Sequence, residues 1–294
     1  MKRILFALLL AAVGHGGPAP VMAAEQECRT GFRFEPGGHP ALDVVLYRPA
    51  QAGANAPVVL VLHGLGRNAR KMCENWKAYA DRSGSIVVAP RFDTPAYAKG
   101  LYHLGGITAG SNATLSQSSY ALIELLFDEV LRRERLTART YRLFGHSAGA
   151  QVVHRALLLG AVPRASELVA ANAGWYTLPL RIQSWPYGLG GLRGREGPEL
   201  ALDAECRAFA RDLTVLLGEA DQDPAHPSLN RSPLAMAQGP HRLARGKNFY
   251  AVAAQRSQAL DCALHWKQAR VPGVGHQSEG MSRAAAAGFE AALP

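Results

Sequence analysis

The stretch Tyr141–Gly149 constrains the fold of this chain more than any other part of the sequence. It reads YRLFGHSAG and ends in the pattern Gly145-x-Ser147-x-Gly149. The residues before the pattern suit a buried strand, and those after it suit a helix. A sharp strand-to-helix turn requires glycines on both sides of the serine, because side chains there would collide with the strand and the helix. The pattern therefore predicts a strained turn that lifts the Ser147 hydroxyl out of a sheet.

An ordinary turn with a capping serine could give the same pattern, since glycine and serine are common residues. The strand-like and helix-like flanks argue against this alternative. In the strained turn, the N–H of Ala148 would lie at a helix N-terminus and point towards an incoming oxyanion. We therefore take Ser147 as a candidate nucleophile and the Ala148 N–H as a candidate donor to an oxyanion.

Apolar runs that suit strands alternate with helical patterns along the rest of the chain. Besides the strand before Ser147, the predicted strands are 42–47 (an antiparallel edge strand), 57–62, 86–89, 168–171, 213–217 and 264–271. The predicted helices are 68–83, 116–135, 151–159, 246–259 and 282–292, and 90–112 and 221–246 are predicted to be rich in loops. In 116–135, the residues expected to face the core are Leu122, Leu125, Leu126 and Val130.

This alternation predicts an α/β fold, with a mostly parallel twisted sheet of about eight strands and helices on both faces. In such sheets, sites form at the carboxyl ends of the strands.

Residues 1–23 have the composition of a secretory signal peptide. A positive start is followed by the apolar run Ile4–Val13, and small residues precede a cleavage site after Ala23 or, alternatively, after Ala24. The apolar run is shorter than the roughly 20 residues that span a bilayer. We therefore expect an exported protein, periplasmic or secreted, with no stable membrane anchor.

The charge of the chain does not indicate a nucleic-acid partner. The formal net charge is +9. Because Lys2 and Arg3 are lost with the segment 1–23, and no acidic residue is lost, it falls to +7. The sequence contains no long block of like charge, and Arg132–Arg135 suits the solvated end of a helix. An anionic substrate stays open, but the charge alone does not select one.

The chain contains four cysteines, Cys28, Cys73, Cys206 and Cys262. An even number in an exported protein predicts two disulfides, for which three pairings are possible. We favour Cys28–Cys73 and Cys206–Cys262, because each joins segments that should lie near each other. Zinc is the alternative, and the lack of a C-x-x-C pair argues against it.

A glycine turn follows the predicted strand 57–62 and reads His63-Gly64-Leu65-Gly66. A second oxyanion donor is expected at this point, and the Leu65 N–H is the candidate. The glycines would let the backbone pass close to a substrate, although a turn that merely ends a strand would look the same. His63 is interpreted as a structural hydrogen-bonding residue.

Acidic residues follow the predicted strand 213–217. A carboxylate here can hold a histidine base in one tautomer, and Asp221 is the first choice, with Asp223 in reserve. Glu219 is expected to point elsewhere. Two other interpretations are a turn rich in Asp and Pro, and, less well supported, a calcium loop, for which the oxygen ligands are too few.

A histidine follows the last predicted strand, in the loop Pro272-Gly273-Val274-Gly275-His276. His276 is therefore the candidate general base, because it completes the order serine, acid, histidine. The remaining histidines that could compete are interpreted as packing or hydrogen-bonding residues (His146, His154) or lack a strand-end position (His226, His241, His265).

With these residues placed, the chain resembles the α/β-hydrolase superfamily over nearly all of residues 24–294. More narrowly, it is similar to exported esterases related to polyhydroxybutyrate depolymerases and feruloyl esterases. The stretches that carry the resemblance are 63–68, 88–92, 145–151, 218–221 and 273–276. The resemblance implies a single α/β-hydrolase catalytic domain at 24–294. Within it, 179–197 is rich in Gly, Pro and Arg, and we expect a cap or lid loop around 179–205. No appended substrate-binding domain is seen, which favours small or soluble substrates over a solid polymer.

The expected activity is the hydrolysis of carboxylic esters through an acyl-enzyme. In it, His276 takes the proton of Ser147 and Asp221 stabilises the imidazolium. No cofactor is required, because the sequence contains neither a dinucleotide fingerprint nor a P-loop. A peptidase or amidase with the same triad is the second hypothesis, and a non-catalytic exported binding protein is the third. Oligomeric state and acyl specificity stay open.

Overall fold

The computed structural model describes residues 27–110, 115–192 and 202–291. The predicted signal peptide and part of the predicted lid lie outside these residues. Within them, the strands are β1 (Arg29–Phe34), β2 (Leu42–Tyr47), β3 (Val58–Leu62), β4 (Ile86–Arg91), β5 (Tyr141–His146), β6 (Ala165–Ala171), β7 (Leu213–Gly218) and β8 (Lys267–Val271). The α-helices are α1 (Ala69–Ser83), α2 (Lys99–Tyr102), α3 (Ala121–Glu134), α4 (Ala148–Leu158), α5 (Leu202–Phe209), α6 (Pro233–Met236), α7 (Arg242–Ala259) and α8 (Ser278–Ala291).

The strands form one eight-stranded sheet in the order β1-β2-β4-β3-β5-β6-β7-β8. Along this order, the five pairs from β4 to β8 are parallel. The pairs β1–β2 and β2–β4 are antiparallel. All residues of β3 and β5 are buried, as expected for central strands that are covered on both faces. The predicted α/β architecture of about eight strands is therefore confirmed.

Helices cover both faces of the sheet and produce two hydrophobic cores. On one face, α3, α4 and α7 contribute buried side chains such as Leu126, Val153 and Phe249. On the other, α1 and α8 meet around Trp76, whose ring centroid lies 5.6 Å from that of Phe289. This packing on both faces holds the strands in place, and the candidate site residues lie at their carboxyl ends.

The structure corrects the place of one predicted strand in the sheet and the predicted burial of one leucine. Leu42–Tyr47 is not an edge strand, because it pairs with both β1 and β4, and the edge is β1. Only two side chains of β1 are buried, so its sequence lacks the apolar run of a strand. Leu125 does not face the core and is 43% exposed. The helix buries Leu122, Leu126 and Val130, spaced four residues apart, and Leu125 lies beside this stripe.

Both favoured disulfides, Cys28–Cys73 and Cys206–Cys262, are present, with Cα–Cα distances of 5.9 Å and 5.4 Å. Such bonds are typical of proteins from oxidising compartments. In the described ranges, no helix has the length and apolarity needed to cross a membrane.

Candidate active site

The backbone at Ser147 is strained as the glycine pattern predicts. Its φ of 58° and ψ of −112° lie outside the regions that a serine ordinarily adopts. A Cβ at Gly145 would collide with the backbone of Gly149, and one at Gly149 would collide with the carbonyl of Leu62. The strand β5 and the helix α4 can therefore approach closely, and the serine between them is pushed above the end of the sheet.

Three distant side chains meet at the carboxyl ends of β5, β7 and β8. The Nε2 of His276 lies 3.0 Å from the Oγ of Ser147, and its Nδ1 lies 2.8 Å from the Oδ2 of Asp221. Because a carboxylate only accepts hydrogen bonds, the Nδ1 donates, and the Nε2 is left to accept from the serine hydroxyl. The structure thus brings all three sequence-predicted side chains into one hydrogen-bonded chain.

The two other carboxylates that follow β7, those of Asp223 and Glu219, do not contact His276. Asp223 is exposed, and its Oδ1 accepts from the N–H of Ala225 at 2.8 Å. Glu219 lies 3.5 Å from the guanidinium of Arg270. Asp221, rather than Asp223, is therefore the carboxylate that contacts the histidine.

The surroundings of His276 and Asp221 favour a neutral imidazole beside a charged carboxylate. Burial lowers the pKa of His276, the hydrogen bond to Asp221 opposes this, and the net pKa lies below the ordinary 6.5. Burial raises the pKa of Asp221, but the hydrogen bond and the charge of His276, together with Arg242, lower it below 3.8 overall. At neutral pH, His276 is therefore free to accept a proton.

Two residues that the sequence analysis did not assign to the site lie beside His276 and Asp221. The Nη1 of Arg242 is 3.3 Å from the Oδ1 of Asp221, and both side chains are almost fully buried. The ring centroid of His226 is 5.5 Å from that of His276. Arg242 begins α7 four residues before the predicted helix start, so it fell in a segment predicted to be loop. No motif in the sequence marks either residue.

The two predicted oxyanion donors belong to segments that adjoin Ser147. Ala148 is the first residue of α4, and a Cβ built at Gly64 would be 3.3 Å from the Cβ of Ser147. The turn that contains Leu65 therefore passes directly against the serine. Neither the Leu65 nor the Ala148 N–H donates to another group in the described part of the chain.

His63 holds this turn in place, in agreement with its predicted structural role. Its Nε2 accepts from the N–H of Phe92 at 3.0 Å, and its carbonyl accepts from the hydroxyl of Tyr102 at 2.6 Å. Burial lowers the pKa of His63 to about 4, so the ring is neutral and its Nε2 can accept at neutral pH. The loop is thus fixed from two directions.

A pocket of about 810 Å³ opens above Ser147 and His276. Its described lining includes Arg67, Lys71 and Arg231, and no aspartate or glutamate. Trp175 forms part of the wall and lies against Tyr187, with 4.4 Å between ring centroids. The pocket therefore combines an aromatic wall with a positive rim.

The segment predicted to be a lid is described only at 179–192 and 202–205. Within it, Trp185 is buried, and its indole N–H donates to the carbonyl of Ile107 at 2.8 Å. Residues 202–205 belong to α5 rather than to a loop. Across the part of the chain that the structure covers, no three His, Cys, Asp or Glu side chains are grouped as ligands for a metal ion.

Solved structures provide the comparison with known proteins, because no protein-family model and no curated protein matches the chain. The chain is 36% identical to poly(aspartic acid) hydrolase-1 from Sphingomonas sp. KT-1, over 89% of this chain and 98% of the other, with a TM-score of 0.83. It is 32% identical to LpqC, a poly(3-hydroxybutyrate) depolymerase from Bordetella parapertussis, over 86% and 85%, with a TM-score of 0.79.

A more distant structure shares the fold alone. This is the S-formylglutathione hydrolase FrmB from Staphylococcus aureus, at 14% identity and a TM-score of 0.56 over 88% of this chain and 96% of the other. The two nearer relatives match this chain over most of their own length, and both are hydrolases. The chain therefore belongs to the α/β-hydrolase family, among the esterase-type hydrolases related to polyhydroxybutyrate depolymerases.

Proposed function

We propose that this protein is a serine esterase that cleaves small or soluble carboxylic esters through an acyl-enzyme. The observation that carries the proposal is the continuous chain of hydrogen bonds from Ser147 through His276 to Asp221, at 3.0 Å and 2.8 Å. A serine hydroxyl is a weak nucleophile unless a base takes its proton, and this arrangement provides the base and its orientation.

The reaction follows from the positions of these groups. The Oγ of Ser147 bonds to the ester carbonyl carbon while its proton passes to the Nε2 of His276. The N–H groups of Leu65 and Ala148 donate to the resulting oxyanion. The carbon–oxygen bond to the alcohol then breaks, and the alcohol takes the proton from His276. A water molecule then gives a proton to the Nε2 of His276 as its oxygen bonds to the acyl carbon. The bond from that carbon to the Oγ of Ser147 breaks, the Oγ takes the proton back from His276, and the acid leaves.

The pocket favours substrates that carry negative charge near the ester. Arg67, Lys71 and Arg231 line it without an opposing carboxylate among the described lining residues. Lys71 also lies 3.9 Å from the carboxylate of Glu279, which is not one of the lining residues. The charge of the lining itself is positive, and such charge attracts an anion and raises its rate of encounter. We therefore expect esters of dicarboxylic acids, or of other acids with a free carboxylate, to be better substrates than neutral esters of equal length.

A second candidate is the hydrolysis of amide bonds in a soluble acidic polymer. The same triad can attack an amide, and the positive rim would suit a chain of carboxylates. The relative from Sphingomonas sp. KT-1 is a poly(aspartic acid) hydrolase by name, which favours this candidate over other peptidase activities.

A substrate panel separates these possibilities. The panel pairs neutral with acidic esters of matched length, and adds poly(aspartic acid) and uncharged peptides. S147A is expected to lose all hydrolysis while keeping its melting temperature. Turnover of every member by S147A at the wild-type rate would rule out the serine mechanism.

Charge variants test the anionic substrate. K71Q and R231Q should raise KM for acidic esters more than for neutral esters of the same length. K247Q is the matched control, because Lys247 is exposed and does not line the pocket. Equal KM changes for acidic and neutral esters would contradict the role given to the positive rim.

We also propose that the chain is exported after removal of residues 1–23. The two disulfides support an oxidising destination. N-terminal sequencing of the protein from a fractionated bacterial host should give a chain that starts at Ala24 or Glu25. Recovery in the cytoplasm with Met1 in place would contradict the proposal.

A further inference from the structure

Among the described residues, Arg242 forms a deeply buried ion pair with Asp221, the acid of the candidate triad. The two side chains are 1% and 2% exposed, and the Nη1 of Arg242 lies 3.3 Å from the Oδ1 of Asp221. The other carboxylate oxygen, Oδ2, accepts from His276. Each oxygen of Asp221 therefore has its own partner, and the plane of the carboxylate is fixed from two sides.

The second terminal nitrogen of Arg242 contacts a different part of the protein. Its Nη2 donates to the Oγ of Ser228 at 2.8 Å and lies 3.3 Å from the Nδ1 of His226. Ser228 belongs to the segment 227–231, all of which lines the pocket. We call this segment the pocket loop. One guanidinium thus joins the candidate triad acid to the wall of the pocket.

The backbone beside Arg242 strengthens this connection. The N–H of Leu243 donates to the carbonyl of Asp221 at 3.2 Å. One turn along the helix, the Nη2 of Arg245 donates to the carbonyl of Asn230 at 2.9 Å. The first turn of α7 therefore holds the strand-end loop and the pocket loop together, and only Arg242 contacts both by its side chain.

We propose that Arg242 is a positioning residue that fixes the carboxylate of Asp221 with one nitrogen and the pocket loop with the other. The inference rests on the proposed serine-hydrolase function and assigns a role that the three triad residues do not cover. A carboxylate held by one partner could rotate, and His276 would rotate with it. A small misplacement of the base is enough to slow a reaction by up to about 100-fold.

The charge of Arg242 provides a readout that a purely structural role would not move. The groups that face His276 are Ser147, Asp221, His146, His226 and Arg242. Burial lowers the pKa of His276, Asp221 raises it, and the positive charge of Arg242 lowers it. Removal of that charge should therefore raise the pKa of His276. His276 would then become protonated at a higher pH. The acid limb, which is the fall of reactivity towards low pH, would be displaced to a higher pH.

The experiment measures the rate at which a fluorophosphonate labels Ser147 as a function of pH, in the full-length protein. This readout needs an activated serine but no knowledge of the substrate. Wild type, R242Q, R242K and R245Q are compared, and S147A is the blank. R245Q is the matched control, because Arg245 is a buried arginine of the same helix that does not contact Asp221.

In R242Q, we expect labelling to slow by about 10- to 100-fold at its best pH, with the acid limb displaced upwards. R242K keeps the charge, so its acid limb should stay at the wild-type pH while its rate recovers in part. R245Q should leave the acid limb in place, whatever it does to the melting temperature. S228A, which removes the loop contact and keeps the ion pair with Asp221, should also leave it in place.

Three results would overturn the inference. These are an unmoved acid limb in folded R242Q, a limb displaced as far in R245Q as in R242Q, or a displaced limb in folded R242K. The R242K measurement is sufficient by itself if R242Q does not fold. Wild-type protein that is not labelled at Ser147 would instead contradict the proposed function, so the two failures are distinguishable.

Discussion

The substitution D221N removes the charge of the carboxylate that contacts both His276 and Arg242. One oxygen of Asp221 accepts from the Nδ1 of His276 at 2.8 Å, and the other lies 3.3 Å from Arg242. Asparagine keeps the shape of the side chain and removes its charge. The imidazole then loses the acceptor that sets its tautomer, and loss of this role in a serine–histidine–aspartate triad lowers kcat by about 10⁴-fold. We expect a loss of this order in ester hydrolysis.

D221N should also destabilise the fold, because Arg242 keeps its charge and loses its counter-charge. The two side chains are 1% and 2% exposed, so water cannot replace the lost partner. Removal of one member of a buried ion pair costs about 3–5 kcal/mol. At about 2 °C per kcal/mol for a domain of this size, Tm should fall by about 6–10 °C.

The pH dependence of this loss has a definite sign. The pKa of Asp221 is lowered on folding, so its contribution to stability is present above its ordinary pKa of 3.8. That contribution is lost as the pH falls through the lower folded value. The melting temperatures of wild type and D221N should therefore differ at neutral pH and converge in acid.

The assay combines kcat on a short ester with Tm from circular dichroism, and D223N is the matched control. Asp223 is exposed and binds only a nearby backbone N–H among the described residues, a contact that asparagine can keep. D223N should match wild type in both measurements. Equal kcat for D221N and D223N, or an unchanged Tm in D221N at neutral pH, would refute the reasoning.

Three further predictions concern the base, the turn and the disulfides. Burial lowers the pKa of His276, so the fall of kcat/KM towards acid pH should be centred below pH 6.5; a fall centred above that pH would contradict this. G149A, whose Cβ would collide with the carbonyl of Leu62, should lose labelling of Ser147, whereas G288A, with open space around it, should gain roughly 0.5–1 kcal/mol in urea unfolding. Replacement of Cys28 and Cys73 by serine should cost about 4 kcal/mol in urea unfolding, because the bond closes a loop with a sequence separation of 45; an unchanged midpoint would exclude this.

Local patterns made the reactive core of the site predictable. Gly145 and Gly149 mark the turn because no other residue fits there, which is a steric requirement that the sequence states directly. Asp221 and His276 could be found because parallel strands end at the same edge of a sheet. Asp221 and Asp223 could not be separated in advance. Both follow the same strand, and only tertiary structure decides which of two carboxylates turns inwards.

The remaining features depend on contacts between distant segments, and no local pattern encodes them. The strand β1 was missed because pairing with β2 stabilises it while only two of its side chains are buried. Leu125 was assigned to the core because a leucine looks the same on either side of a helix stripe. Arg242 was missed and His226 was set aside for the same kind of reason, since their importance comes from their contacts with Asp221 and His276.

Buried arginines add to the positive charge around the pocket. Arg155 is fully buried and lies 4.2 Å from the ring centroid of Trp175, which forms the pocket wall. Burial lowers its pKa to about 10, so it stays charged at neutral pH. Among the described residues, no carboxylate contacts Arg155 or Arg245, and Asp221 is the one carboxylate that contacts Arg242.

Three guanidinium groups therefore lie near the pocket, and only that of Arg242 has a carboxylate partner among the described residues. Charge fixed in a low-dielectric wall acts over a longer distance than charge at a solvated surface. It favours the negative charge that develops on the carbonyl oxygen during attack, and it costs no reorganisation at that moment. The same field would discriminate among substrates before any contact forms. Replacement of Arg155, Arg242 or Arg245 by a neutral residue should therefore reduce the preference for acidic over neutral esters, even though these side chains do not line the pocket.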